Sequence, residues 1–176
     1  RHRVQNAAVV INDPEVAAEC HRHRVGETFR VRLGGKTDSL HGSTLSLEVR
    51  LQKTTDGRFT LENPKSHLAI VAGKNINMGP SATVECASIQ IVVTTHKTPP
   101  MDLGQLRSQG LVPEKLYMIG VKAAVAHKAA YDPIARHSFY VGTPGLCSSD
   151  LRAFPYQHVR RPVFPLDEFE KHPLFG

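Results

Sequence analysis

Between residues 33 and 42, a cation, a hydroxyl and an imidazole lie among glycines. These side chains belong to Lys36, Thr37 and His41, and they directly follow a strand-like run. Glycine lets backbone N–H groups approach a partner closely, and polar side chains on a loop held by strands are common in binding and catalytic sites. We therefore predict that these three residues bind substrate. The alternative is a glycine-punctuated connection between two strands with a solvated lysine.

A nucleotide-binding P-loop is excluded for this segment. The motif Gly-x-x-x-x-Gly-Lys-Ser/Thr would need a glycine where this chain has Arg30. A helix must also follow a P-loop, whereas residues 45–51 alternate apolar and polar side chains as a strand does. Lys36 is therefore not a P-loop lysine.

A second candidate lies where a buried strand ends and a helix begins, at residues 121–127. In open α/β sheets, ligands bind at the carboxyl ends of strands, and a helix N-terminus beside a lysine favours an anion. Lys122 and His127 are accordingly predicted to bind substrate. The alternative is a lysine that extends to solvent and a histidine packed on the flank of a helix.

The histidines and cysteines do not form a metal motif in the sequence. There is no His-Glu-x-x-His, and His21 and His23 point to different faces of a predicted helix. Cys20, Cys86 and Cys147 form no Cys-x-x-Cys pair, so neither a zinc knuckle nor a disulfide framework is expected and a reducing compartment fits best. A cluster of histidines distant in sequence remains open. No Gly-x-Ser-x-Gly elbow indicates a serine nucleophile.

The composition predicts a single soluble domain. At 176 residues and 40% hydrophobic, the chain is long enough for one core. The net charge of +6 is spread along the chain, so we expect no nucleic-acid partner, and the cations favour anionic small molecules or an acidic partner surface. The longest apolar run, residues 89–93, is too short to cross a bilayer. We expect a cytoplasmic protein with no membrane partner.

The elements that must position the candidate residues begin with a strand at residues 7–11 and a helix at residues 14–24. Asp13 is the predicted N-cap of that helix, Pro14 opens it, and cations fill its last turn. Replacing Asp13 by alanine would then cost about 1 kcal/mol through the lost cap. If Asp13 acts only as this cap, its replacement should not alter the candidate substrate-binding segments, including the one at residues 33–42.

The rest of the pattern predicts an α+β (mixed α/β) fold, with an antiparallel strand meander followed by a C-terminal βαβ unit. The meander strands are residues 28–33, 45–51, 59–61, 83–85 and 89–94, with one further strand at 69–72. A helix at 102–109 precedes the βαβ unit, which comprises strand 116–121, helix 123–130 and strand 139–141. The chain is predicted to be a single domain, with a globular body at 1–153 and an extended proline-rich tail at 154–176.

Short motifs run in order through nearly the whole chain. They are residues 6–10, 12–15 and 33–38 with His41-Gly42, Val121-Lys122 with His127, and residues 140–145, 149–152, 155–156, 159–162 and 165–167. Together they resemble the C-terminal domain of the MlrC-like, or microcystinase C, family of proposed zinc metallopeptidases. The family usually shows serines after the lysine, where this chain has Ala123 and Ala124.

The resemblance implies hydrolysis of a peptide or other amide bond, with zinc as the cofactor of the full-length protein. Family members have a larger N-terminal domain to which the metal ligands are assigned. That domain would be the partner of this chain, and a small peptide or amide would be the substrate. The sequence begins at Arg1 rather than Met, so we expect it to be trimmed or part of something longer.

On that basis, the five candidate residues would position substrate or stabilise an oxyanion at an interdomain cleft. The residues are Lys36, Thr37, His41, Lys122 and His127. The chain alone is not expected to be catalytic. The alternative is a non-catalytic structural or oligomerisation module, for instance in a homo-oligomer.

We predict that the isolated chain binds no zinc tightly, because it offers neither thiolate pairs nor histidines at ligand spacing. Metal analysis of purified, tag-free protein should give well below one equivalent. A stoichiometric zinc that chelators remove would contradict this prediction and place a metal centre in this domain.

Overall fold

The computed structural model of the chain describes residues 4–145, 147–148 and 150–168. The chain divides into two compact units, residues 1–139 and 140–176. In the described part of the first unit, the strands are β1 (Ala7–Asn12), β2 (Thr28–Leu33), β3 (Leu45–Thr55), β4 (Arg58–Thr60), β5 (Asn75–Asn77), β6 (Ser81–Cys86), β7 (Ile89–Thr94) and β8 (Met118–Gly120). The helices are α1 (Pro14–Cys20), α2 (His67–Ala72), α3 (Gly104–Arg107) and α4 (Lys128–Tyr131), with a 3₁₀ turn at Pro113–Lys115.

The predicted α+β class is confirmed. Among the described residues, six strands form a mixed sheet in the order β2-β3-β6-β7-β1-β8, and β4 and β5 form a separate two-stranded sheet. The antiparallel meander is β2-β3-β6-β7, while β1 pairs in parallel with both β7 and β8. A parallel crossover therefore runs from β7 through α3 to β8, with β1 inserted between the two strands.

Two apolar cores cover the two faces of the sheet, because successive side chains of a strand point to opposite sides. Val9 and Ile11 of β1 belong to the core that buries α1, whereas Val10 belongs to the core that contains α3 and α4. Cys20 of α1 is buried, and desolvation raises the pKa of its thiol to about 11. This thiol is therefore a packing residue and not a nucleophile. No helix in the described residues has the length and apolar character needed to span a membrane.

Helix α1 is shorter than predicted. Asp13 caps it as expected, because its side chain accepts a hydrogen bond from the backbone N–H of Val16. The helix ends at Cys20, however, and not at residue 24, so the predicted cations of the last turn lie outside it. Backbone bonds from Arg22 to Glu19 and from His23 to Cys20 span three residues and tighten the end of the helix.

The predicted strand at residues 69–72 is wrong, because these residues belong to α2. Ser66 precedes the helix and accepts a hydrogen bond from the backbone N–H of Ala69. A short apolar run does not distinguish a strand from a helix by itself. Here the serine cap and the burial of Leu68 against Leu61 and Ile76 stabilise the helix.

The observed structure differs from the predicted βαβ unit in the second half of that unit. The strand at residues 116–121 is confirmed as the shorter β8, but of the predicted helix 123–130 only residues 128–130 are helical, as part of α4. Likewise, the helix predicted at 102–109 is reduced to α3. Residues 139–141 form no strand, and Phe139 is 86% exposed. An apolar run becomes a strand only where a neighbour takes up its backbone hydrogen bonds, and the parallel neighbour of β8 is β1 instead.

The second unit contains a 3₁₀ turn at Leu151–Ala153, capped by the side chain of Asp150. Arg161 pairs with Asp167, whose carboxylate also accepts the backbone N–H of Val163 at 2.6 Å. The hydrogen bond from Arg161 and that backbone bond lower the pKa of Asp167. Of the predicted proline-rich tail, residues 169–176 lie outside the described residues.

The connection between α1 and β2 is organised around His23. Its Nδ1 lies 2.7 Å from Glu27 Oε1 and its Nε2 lies 3.3 Å from Glu19 Oε1. The ring stacks on Phe29 with a centroid separation of 3.8 Å. Hydrogen bonding to Glu27 is the main reason why the pKa of His23 is raised, and Glu19 adds to it.

Because the folded-state pKa of His23 is raised, its contribution to stability is complete below the unfolded value of about 6.5. It is lost as the pH rises through the higher folded value. We expect His23→Gln to lower the urea midpoint more at pH 5.5 than at pH 8.5. A deficit of His23→Gln that grows with pH would contradict this assignment.

Candidate functional site

The carboxyl ends of β1 and β8 place Asp13 and Lys122 at the same edge of the sheet. The two strands are adjacent and parallel, with Val9 opposite Gly120. Asn12 fixes the end of β1 by donating hydrogen bonds to the carbonyl oxygens of Thr94 and Thr95, each at 3.0 Å. This is the edge at which ligands bind in open α/β sheets.

Asp13 is a buried carboxylate, with only 2% of its side chain exposed. Its Oδ1 accepts the backbone N–H of Val16 at 3.2 Å and lies 3.0 Å from Lys36 Nζ. Its Oδ2 accepts the backbone N–H of Gly34 at 2.9 Å. The helix cap is thus also the residue that anchors the glycine loop, which we define as residues 34–44. The expectation that Asp13 can change without affecting this loop is therefore wrong.

The glycine loop reaches Asp13 from a distant strand. In the strand order β2 is four places from β1, which would separate them by about 19 Å in a flat sheet. A shift of register between Leu51 and Lys53 interrupts the pairing of β3 with β6. Such a bulge bends and twists the strand that carries it. The bend fits the observed contact between the end of the β2–β3 hairpin and the start of α1.

Gly35 allows the two sides of the glycine loop to approach each other. It has a φ of +61°, and a Cβ at this position would lie 2.6 Å from the backbone carbon of Ser43 and 2.8 Å from the oxygen of Gly42. Both the left-handed conformation and the lack of space exclude other residues. Lys36 follows this close approach, and its side chain reaches Asp13.

Lys36 is paired with two carboxylates. Its Nζ lies 3.0 Å from Asp13 Oδ1 and 2.9 Å from Glu15 Oε2. Desolvation alone would lower the pKa of Lys36, but the hydrogen bonds to Glu15 and Asp13 together raise it. Glu15 is 79% exposed, so water screens its pairing, and the buried Asp13 contact is the stronger of the two. The charge of Lys36 is therefore largely neutralised within the domain.

His41 contacts Lys122, and this contact joins the two segments singled out in the sequence. Lys122 Nζ lies 3.3 Å from His41 Nε2. On the other side of the ring, His41 Nδ1 lies 2.5 Å from Asp38 Oδ2. Desolvation would raise the pKa of Asp38, but hydrogen bonds from the His41 backbone and ring, and from the Leu40 backbone, hold it below its usual range.

Thr37 and His127 are not part of this contact. Thr37 is an exposed residue of the glycine loop. His127 precedes α4, and its ring meets the edge of Tyr131 with a centroid distance of 6.2 Å. Its Nδ1 is buried and has no hydrogen-bond partner among the described residues. Burial raises the pKa of Tyr131 to about 12, so its phenol stays neutral.

Of the sequence-predicted residues, the structure therefore brings His41 and Lys122 together and directs Lys36 to Asp13. The sequence did not lead us to predict Glu15, which pairs with Lys36, or Asp38, which pairs with His41, as residues of this site. The signal for Asp38 was available, since a carboxylate three residues before a histidine on a turn can bind both its backbone and its ring.

The described residues contain no group of three or more histidines, cysteines, aspartates or glutamates placed to hold a metal ion. The chemistry of the best donor pair, Asp38 and His41, agrees with this. The ammonium of Lys122 faces His41 Nε2 at 3.3 Å, where a cation would be repelled. The residues of this site do not fit a zinc ion.

A cavity of about 410 Å³ lies elsewhere on the first unit. Its lining includes Asn6, Lys53, Gln109 and Lys115, and none of the five predicted residues. The cavity and the candidate site are thus separate features.

Comparison with known proteins finds a family and a solved structure that this chain resembles. A family model described as MlrC C-terminus matches residues 1–158. A crystal structure of a "Putative metallopeptidase" from Mesorhizobium sp. BNC1 superposes with a TM-score of 0.78 and 24% sequence identity. The match covers 98% of this chain and 33% of that chain, so this chain spans about a third of the length of that protein. No sequence among the curated proteins matches.

We predict that Asp13→Ala destabilises the domain by about 3 kcal/mol, more than the loss of a helix cap, because it leaves Lys36 without its buried partner. Glu15→Gln is the matched control, since it removes the exposed carboxylate from the same ammonium, and should cost less than about 1 kcal/mol. Urea unfolding of both variants measures the difference. Equal losses would contradict the anchoring role of Asp13.

Proposed function

The chain belongs to the MlrC C-terminus family, and from this premise we propose that it is the C-terminal domain of a metal-dependent hydrolase of peptide or other amide bonds. In this proposal, the domain supplies substrate-positioning or oxyanion-stabilising side chains at a cleft with an N-terminal domain of the same protein. In the same proposal, the catalytic zinc is bound by that other domain.

The observation that carries the proposal is the contact of His41 with Lys122. These residues are 81 positions apart in sequence and come from two segments predicted independently to bind substrate. Lys122 has no carboxylate within ion-pair distance among the described residues. Its ammonium is therefore available to stabilise a negative charge that develops on a substrate carbonyl.

The surroundings of this contact support an interdomain location. Leu40 of the glycine loop is 53% exposed, and Val125, three residues after Lys122, is 67% exposed. Apolar side chains beside polar groups mark surfaces that another domain or a ligand covers. Thr37 and His127 belong to the same two segments, and we propose that they contact substrate from the two sides.

A non-catalytic structural module is the second candidate, and the pairing of Lys36 favours it for one part of the loop. Lys36 binds Asp13 and Glu15 within this domain, and a neutralised cation stabilises an oxyanion poorly. In the hydrolase proposal, Lys36 therefore acts by holding the loop, and its loss affects substrate binding through the position of His41.

We expect Lys122→Ala, His41→Ala or His127→Ala, in a full-length protein that contains this domain, to lower kcat/KM for amide hydrolysis by about ten- to a thousand-fold. Lys36→Ala should lower kcat/KM within the same range and also lower the melting temperature. Lys65→Ala, an exposed lysine on another loop, is the control and should be neutral. Near-normal turnover in the first three variants would favour the structural module.

A further inference from the structure

The contact between Lys122 and His41 determines the protonation of the imidazole ring. An ammonium has three donors and no acceptor, so Lys122 Nζ must donate across the 3.3 Å to Nε2. A ring nitrogen that accepts carries no proton. A hydrogen bond in this direction requires the His41 tautomer that carries its proton on Nδ1. An imidazolium would instead place two donors and two positive charges against each other.

Asp38 lies where it can hold that proton. Its Oδ2 is 2.5 Å from His41 Nδ1. Its Oδ1 accepts the backbone N–H groups of Leu40 and His41 at 2.8 and 3.0 Å, which fixes the carboxylate on the turn. Only 15% of the Asp38 side chain and 29% of the His41 side chain are exposed. The carboxylate therefore orients the ring from behind while Nε2 faces outward to Lys122.

We propose that Asp38 is a positioning residue that keeps the proton of His41 on Nδ1 and leaves Nε2 as a proton acceptor. This deepens the proposed function and, as a statement about catalysis, rests on it. His41 is then a base rather than one of the cations that stabilise the oxyanion, and the cation of the pair is Lys122. A carboxylate behind an imidazole fixes its tautomer and stabilises the imidazolium that forms when Nε2 takes up a proton.

In amide hydrolysis, the substrate would displace Lys122 from Nε2 toward the carbonyl oxygen. As the oxygen of water bonds to the carbonyl carbon, its proton passes to His41 Nε2 and the carbonyl π electrons move to the oxygen beside Lys122. When the carbon–nitrogen bond breaks, the carbonyl re-forms and the proton passes from Nε2 to the leaving amine. The products are a carboxylic acid and an amine, and no oxidant or reductant is needed.

The tautomer can be measured on this chain alone, by long-range ¹H–¹⁵N NMR of the His41 ring at a pH where the ring is neutral. We expect the Nδ1–H form in the wild type. In Asp38→Asn, the side-chain carbonyl keeps the two backbone N–H bonds and the amide NH₂ faces Nδ1. Because that group donates, Nδ1 must accept, and the proton should move to Nε2.

Two further variants test whether Asp38, and not another residue, sets the tautomer of His41. Asp56→Asn is the matched control, because Asp56 also accepts a backbone N–H on a turn, that of Arg58 at 3.0 Å, but contacts no histidine. Its His41 tautomer should be unchanged. Lys122→Met removes the donor at Nε2, and the proton should remain on Nδ1. The proposal is overturned by a wild-type Nε2–H form, by an unchanged tautomer in Asp38→Asn, or by a switch in Lys122→Met.

Turnover in a full-length protein tests the consequence for catalysis. Asp38→Asn should lower kcat by about a hundred- to ten-thousand-fold with little change in KM, since the wrong tautomer removes the base and not the binding contacts. Asp56→Asn should retain kcat. A wild-type protein without amide hydrolysis would refute the proposed function, while the NMR result still decides the role of Asp38. Normal kcat in Asp38→Asn beside an active wild type would refute the catalytic role.

Discussion

The buried carboxylate of Asp13 is the constraint on which the rest of the site depends. A carboxylate removed from water is tolerated only when donors surround it, and here those donors come from three places along the chain. The backbone N–H of Val16 lies in the first turn of α1, the backbone N–H of Gly34 begins the glycine loop, and Lys36 supplies the opposite charge. Satisfying this one group therefore joins β1, α1 and the β2–β3 hairpin.

That requirement divides the glycine loop into two functional parts. Lys36 points inward and is neutralised by Asp13 and Glu15, so it holds the loop in place. Asp38 and His41 follow on the outer part, where the imidazole meets Lys122. The proposed proton transfer needs a ring of fixed orientation, and a loop closed by an ion pair and a tight glycine turn favours one.

In the proposed function, the outer part of the loop acts on an amide substrate. In that proposal, Lys122 supplies a positive charge for a developing oxyanion and His41 accepts a proton, and the two groups lie within one contact of 3.3 Å. One core packs against both strands of this edge, since it includes Val10 of β1 and Ile119 of β8.

The sequence by itself determined the local features of this protein. The cap at Asp13, the hairpin strands β6 and β7, and the chemical character of the glycine loop follow from residue types and spacing within a few positions. It did not decide between strand and helix at residues 69–72 or create a strand at 139–141, because those outcomes depend on which backbone groups find partners. The tertiary structure alone decided that Lys36 turns to Asp13 and that His41 meets Lys122. Both contacts depend on the sheet topology, including the parallel pairing of β1 with β8, which is a long-range arrangement that no local pattern encodes.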